Sequence, residues 1–74
     1  MPNITVELLA GRSVEQRRAF ARAVTDSAVE ILGAREQDVR MVFTEITADV
    51  VANGGVLASE DASRAGVVAA LEKR

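Results

Sequence analysis

The chain has 74 residues, 49% of them hydrophobic, and its 9 basic and 11 acidic side chains leave a net charge of −2. It contains no cysteine and no histidine, which excludes disulfides, thiolate metal sites and imidazole acid–base chemistry. The charge balance offers no electrostatic footprint for nucleic acid, two phenylalanines leave little for base stacking, and no apolar run approaches a membrane span.

A domain of this size buries only about 60% of its unfolded surface. Without disulfides or a metal, the expected support is a partner chain, and an oligomer of identical copies is expected. The opening residues carry no basic segment followed by an apolar one, so no signal peptide is expected and a cytoplasmic location fits. The reading is of a single domain over residues 1–74.

Residues 3–9 read NITVELL. Ile4, Val6 and Leu8 alternate with Thr5 and Glu7, the period of a strand with one covered face. Ala10-Gly11-Arg12 interrupts the alternation. Ser13 and Gln16 then have the spacing of a capping box, in which each side chain satisfies the other's free backbone N–H.

The spacing predicts a helix from about Val14 to Leu32. Phe20, Ala21, Val24, Ala28, Ile31 and Leu32 fall on one stripe, and Glu15, Arg18, Arg22, Asp26 and Glu30 lie towards the other side as a solvated face. Gly33 is placed to end the helix with a positive φ. A polar connector, Ala34 to Asp38, leads to a second strand from Val39 to Ile46. Val39, Met41 and Phe43 share one face of it. Arg40 shares the other with Val42, Thr44 and Ile46, where a buried guanidinium would need an anionic partner.

Strand, long helix and strand make a βαβ unit of α/β class, with parallel strands and a right-handed crossover. Val50 to Leu57 then reads as a small hairpin, signalled by Asn53-Gly54. The tail from Asp61 to Arg74 reads as a short helix, with Asp61 at its start and Lys73 and Arg74 at its end, as the helix dipole favours.

The inventory narrows the chemistry further. Tyrosine is absent and the single lysine is Lys73. Among the remaining groups, only an α-amino group has an ordinary pKa near neutrality, about 7.7–8.0. Pro2, the single proline, stands directly after the initiator methionine. Removal of Met1 would leave a rigid secondary amine at the start of a strand. Taken alone, a proline at this position is an ordinary strand start. Arg12, at the turn out of the first strand, and Arg40 are the two cations placed to hold an anion. A carboxylate of the protein or one of a substrate would serve Arg40 equally by residue type.

In combination these features are more specific. Met-Pro, an alternating strand, Leu8-Leu9-Ala10-Gly11-Arg12-Ser13, a capped helix, Val39-Arg40-Met41-Val42-Phe43-Thr44-Glu45 and Gly54-Gly55-Val56-Leu57-Ala58-Ser59 follow one another in order. The chain resembles the 4-oxalocrotonate tautomerase family over roughly residues 2–59, and residues 61–74 extend that core.

The resemblance implies a βαβ protomer with a C-terminal hairpin and short terminal helix, assembled as an oligomer, in this family mainly a hexamer. It implies active sites at subunit interfaces that use no cofactor and no metal. It implies Pro2 as general acid/base for an enol–keto tautomerase acting on a small anionic carboxylate substrate. Arg12 would hold a substrate carboxylate, and Arg40 the other carboxylate or the enol oxygen. Leu9 and Val51 would line the binding site.

Two departures stand out. Val51 occupies a hairpin position where the best-known members carry an aromatic residue, and Asn53 stands where an apolar one is usual. Both bear on substrate choice more than on proline chemistry. Related enzymes with an N-terminal proline dehalogenate, hydrate or decarboxylate small acids. For hydration Glu7, Glu45 and Asp49 are the carboxylates in position to activate water. An inactive oligomeric subunit or binding module is the remaining alternative.

Overall fold

Local rules account for most of the regular structure in the computed structural model, which describes residues 1–64 and 66. Strand β1 is Asn3–Leu9, helix α1 is Val14–Leu32 and strand β2 is Arg40–Ile46. Two short strands, β3 (Ala52–Asn53) and β4 (Val56–Leu57), form the hairpin. Single 3-10 turns occupy Glu36–Asp38, Ala48–Val50, Ala58–Glu60 and Ala62–Arg64. The backbone forms two units, Met1–Val6 with Ser13–Phe43, and Glu7–Arg12 with the chain from Thr44 onward. Strands β1 and β2 are hydrogen-bonded neighbours, and each contributes its first part to one unit and its second part to the other.

In the first unit, α1 begins and ends where its caps require. Ser13 Oγ accepts from the Gln16 N–H at 3.1 Å, and Gln16 Oε1 accepts from the Ser13 N–H at 2.9 Å. This satisfies two donors that a helix start otherwise leaves unmade. At the far end Gly33 takes a φ of 70° and its N–H reaches the Val29 carbonyl at 3.2 Å. A side chain would resist that left-handed conformation. Ala28 is buried, and Ala21 and Val24 are half-buried. The Phe20 ring meets Phe43 edge-on, with centroids 6.3 Å apart, a favourable aromatic geometry. Arg22 binds Asp26 one turn along the helix and Glu36 in the following 3-10 turn, so the solvated face is also an ion-pair network.

The second unit is built from short pieces. The Ala10 N–H donates to the Ile46 carbonyl at 2.8 Å. Together with the Arg40 N–H to Pro2 carbonyl bond at 3.0 Å in the first unit, it runs in the same sense along both strands, so β1 and β2 are parallel. The hairpin pairs Ala52 with Leu57 and Asn53 with Val56. Its central residues are Gly54 and Gly55, with φ of 61° and 80°. A two-residue turn with both φ values positive matches the twist of an antiparallel pair, and glycine adopts it without steric penalty. The Ala58 N–H donates to the Val51 carbonyl at 2.9 Å. Ala48 and Ala58 are buried.

Several expectations are corrected. Val39 caps the 3-10 turn and does not begin β2. Val50 ends a 3-10 turn, so the hairpin starts at Ala52, and the tight turn is Gly54-Gly55 with Asn53 in the strand. Ile31 and Leu32, assigned to the covered stripe of α1, are 77% and 69% exposed, because nothing within the unit covers the last turn of that stripe. Arg40 is also exposed, so its guanidinium carries no burial penalty in this chain. The start of the tail is a 3-10 turn at Ala62–Arg64, and the rest of the helix expected over 61–74 lies outside the described residues apart from 66. Among the described residues no helix is long and apolar enough to cross a membrane.

Candidate active site

Pro2 is half-buried immediately before β1, and its carbonyl accepts the Arg40 N–H. The parallel pairing of β1 and β2 therefore holds the backbone of Pro2 against the backbone of Arg40. With Met1 attached, the Pro2 nitrogen is part of an amide, whose lone pair is delocalised and unavailable as a base.

Asp38 belongs to the same neighbourhood. Arg35 grips its carboxylate with two bonds, Nε to Oδ2 at 2.8 Å and Nη2 to Oδ1 at 2.9 Å. These bonds hold the Asp38 carboxyl below the usual aspartate range. Partial burial opposes the shift, and the positive amino terminus of the chain adds to it. The amino terminus thus lies within the electrostatic reach of Asp38. Sequence reasoning passed over this residue. The available signal was the Arg35–Asp38 spacing of three, directly before Arg40.

Arg12 follows Gly11, whose φ of 121° turns the chain out of β1, and precedes the Ser13 cap of α1. Both Arg12 and Arg40 are exposed. Among the described residues neither is engaged in an ion pair or side-chain hydrogen bond. Each presents a planar fork of donors suited to a carboxylate.

A separate feature of the second unit is a cavity of about 310 Å³. Leu8, Leu9, Ile46 and Val51 supply its apolar wall, and Glu7, Asn53 and Arg64 supply its polar groups. Its volume is at the small end of the range for small-molecule sites, and an apolar wall with few polar groups is the usual composition of one. The β1 alternation explains Leu8. Leu9 joins it because β1 ends there, and Val51 is brought in by the bond from Ala58 that closes the hairpin segment. Leu9 and Val51, both expected in the binding site, therefore line one cavity. Pro2, Arg12 and Arg40 are not among its lining residues. Val50, next to Val51 in the chain, is 70% exposed.

Of the carboxylates considered for hydration, Glu7 lines the cavity and Asp49 is exposed in the 3-10 turn. Arg64 lines the same cavity, and sequence reasoning did not single it out. Its spacing of three from Asp61 was the available signal. Among the described residues, no cluster of three or more acidic groups could hold a metal ion.

Comparison with known proteins agrees with this architecture. The family model described as tautomerase enzyme matches residues 2–60. A probable tautomerase of Bacillus cereus is 38% identical over 55 residues, covering 74% of this chain and 90% of the relative. A 2-hydroxymuconate tautomerase of Bacillus subtilis is 36% identical over 55 residues, covering 74% and 89%. Among solved structures, a heterohexamer 4-oxalocrotonate tautomerase from Chloroflexus aurantiacus superposes with a TM-score of 0.76 at 28% identity, covering 81% of this chain and 97% of that one.

Proposed function

Because the chain belongs to the tautomerase family, we propose that it is an enol–keto tautomerase for small 2-hydroxy-dienoate or 2-enol carboxylic acids, with the Pro2 amine as general acid/base once Met1 is removed. The observation that carries this reading is the bond between the Arg40 N–H and the Pro2 carbonyl. It ties a strand-start proline to the strand that bears a substrate-binding cation.

In this reading the Pro2 amine takes the proton of the 2-hydroxyl group. The electrons of the O–H bond form the carbonyl, and the displaced double bond moves along the chain of the substrate. The carbon that gains electron density takes the proton back from the ammonium, so the enzyme ends unchanged. Arg12 and Arg40 neutralise the carboxylate and the charge that gathers on oxygen in the transition state. Their positive charge also favours the neutral, basic form of the amine. Leu9 and Val51 supply a dry wall that strengthens both effects.

The 74 residues act as one domain, and the working form is a hexamer of identical chains in the cytoplasm, with sites completed by residues of neighbouring copies. The exposed Phe20, Ile31, Leu32 and Val56 support assembly, since so many large apolar side chains left in water weigh against a lone protomer. A 2-hydroxy-dienedioate such as 2-hydroxymuconate, named for the Bacillus subtilis relative, is the substrate to try first.

The test is ketonisation of 2-hydroxymuconate followed by ultraviolet absorbance, with the N-terminus checked by intact mass. Protein beginning at Pro2 is expected to turn over rapidly. Pro2→Ala is expected to lose roughly 10²–10⁴ in kcat, the usual contribution of a positioned acid/base. Full activity in that variant would defeat the proposal. Native mass spectrometry checks the hexamer.

A further inference from the structure

The cavity beside Leu9 and Val51 contains one cationic side chain among the described residues, and it is Arg64. This residue lies beyond the segment 2–60 that the family model matches. Its engagement is light. Nε donates to Asp61 Oδ2 at 3.3 Å, and the side chain remains 52% exposed. A guanidinium has five N–H donors, so a single long bond through Nε leaves its terminal nitrogens available. Asp61 is itself oriented from its other oxygen, since Oδ1 accepts from the Ser63 N–H at 3.0 Å and from the Ser63 hydroxyl at 2.6 Å. The carboxylate of Asp61 therefore stays ionised and faces Arg64 when no anion is present. Glu7, also at the cavity, is exposed to water, which screens its repulsion of an incoming anion.

We infer that Arg64 is a specificity-determining residue, which recognises a carboxylate at the end of the substrate lying in this cavity and thereby selects diacids over monoacids. Asp61 is the internal counter-ion that an incoming carboxylate displaces. The exchange is easy because an exposed ion pair of this kind contributes little, whereas a carboxylate can take two parallel bonds from the guanidinium fork. The apolar wall of Leu8, Leu9, Ile46 and Val51 accommodates the hydrocarbon part of the same molecule. The inference rests on the tautomerase reading for its substrate class, and it adds a residue outside the matched family core.

The experiment compares two unreactive probes of similar carbon skeleton, muconate with two carboxylates and sorbate with one. Their affinities for the full chain beginning at Pro2 are measured by calorimetry or as inhibition constants. Arg64→Gln is expected to weaken muconate about tenfold, in keeping with loss of a charged hydrogen-bond pair, and to change sorbate by less than about twofold. Arg64→Lys is expected to fall between, because it keeps the charge and loses the fork. Asp61→Asn is expected to tighten muconate by removing the competing anion.

Equal weakening of both probes, or no change in either, would overturn the inference. So would weaker muconate binding by Asp61→Asn. The probes need no turnover, so the result stands apart from the ketonisation assay. A chain that ketonises 2-hydroxymuconate while Arg64→Gln shows no diacid effect loses only the Arg64 inference. A chain with the diacid effect and no ketonisation loses only the tautomerase reading.

Discussion

Helix α1 and the segment from Thr47 to Arg64 are built on opposite plans. The helix is one long element, with a box at its start, a left-handed glycine at its end and an ion-pair network along its wet face. The later segment has three 3-10 turns and two strands of two residues each, held by bonds such as Ala58 to Val51 and by buried alanines at 48 and 58. The helix is bounded and paired largely by residues close to it in the chain, and it leaves apolar side chains uncovered at its last turn. The turn-rich segment has little local preference of its own, and it brings Val51, Asn53, Ala58 and Arg64 to the cavity. Regular structure thus serves the scaffold and offers surface for assembly, while irregular backbone brings unlike side chains together.

The largest expected effect falls on that uncovered surface. If Ile31 and Leu32 are buried between copies, each contributes about 1.5–3 kcal/mol per chain. Ile31→Asp with Leu32→Asp is expected to convert the oligomer to smaller species, read by light scattering, with the helical circular dichroism signal kept. An unchanged mass would show that this end of α1 faces solvent in the assembly as well.

Next comes the hairpin turn. A β-carbon at Gly55 meets no atom within 4 Å, so the effect of Gly55→Val is conformational. Forcing a branched residue to a φ of 80° costs about 1–2 kcal/mol or more. The expected result is poorer ligand binding at the cavity with α1 intact. Loss of the helix signal as well would show that the two regions fold as one.

Ser13→Ala removes one half of the capping box. It is expected to lower stability by about 1 kcal/mol, a few degrees in Tm, with little effect on muconate affinity.

The smallest effect concerns Asp38, whose carboxyl is held below its ordinary value of 3.8 by Arg35 and by the amino terminus. A depressed folded-state pKa contributes stability above the unfolded value, and that stability is lost as pH falls through the folded one. Wild type and Asp38→Asn are therefore expected to differ slightly in Tm at neutral pH and to converge on acidification below about pH 4. Parallel curves across that range would exclude the pairing as a source of acid sensitivity.

The two plans also explain what could be read in advance. Helix α1, its caps, the β1 alternation and the parallel βαβ order follow from periodicities and cap residues that act within a few positions of one another. Pro2, Arg12 and Arg40 stand as candidates in the sequence because their spacing from those elements carries the family pattern. Leu9 and Val51 came with the same resemblance, and the cavity they share is a product of the closed hairpin segment. Arg64 and Asp38 were not legible, because each looks in sequence like one more exposed charge paired with a neighbour three residues away.

By itself the sequence determined the order of the main elements, the bounds of β1 and α1, the family, and the chemistry left to a chain without histidine, cysteine or tyrosine. These rest on local hydrogen bonding, side-chain periodicity and composition, all of which are properties of short stretches. The tertiary structure alone decided that Ile31 and Leu32 stay uncovered, that Arg40 lies in water, and that Arg64 borders the cavity with Leu9 and Val51. Burial and convergence depend on which distant residues fill the space around a side chain. No local pattern carries that information.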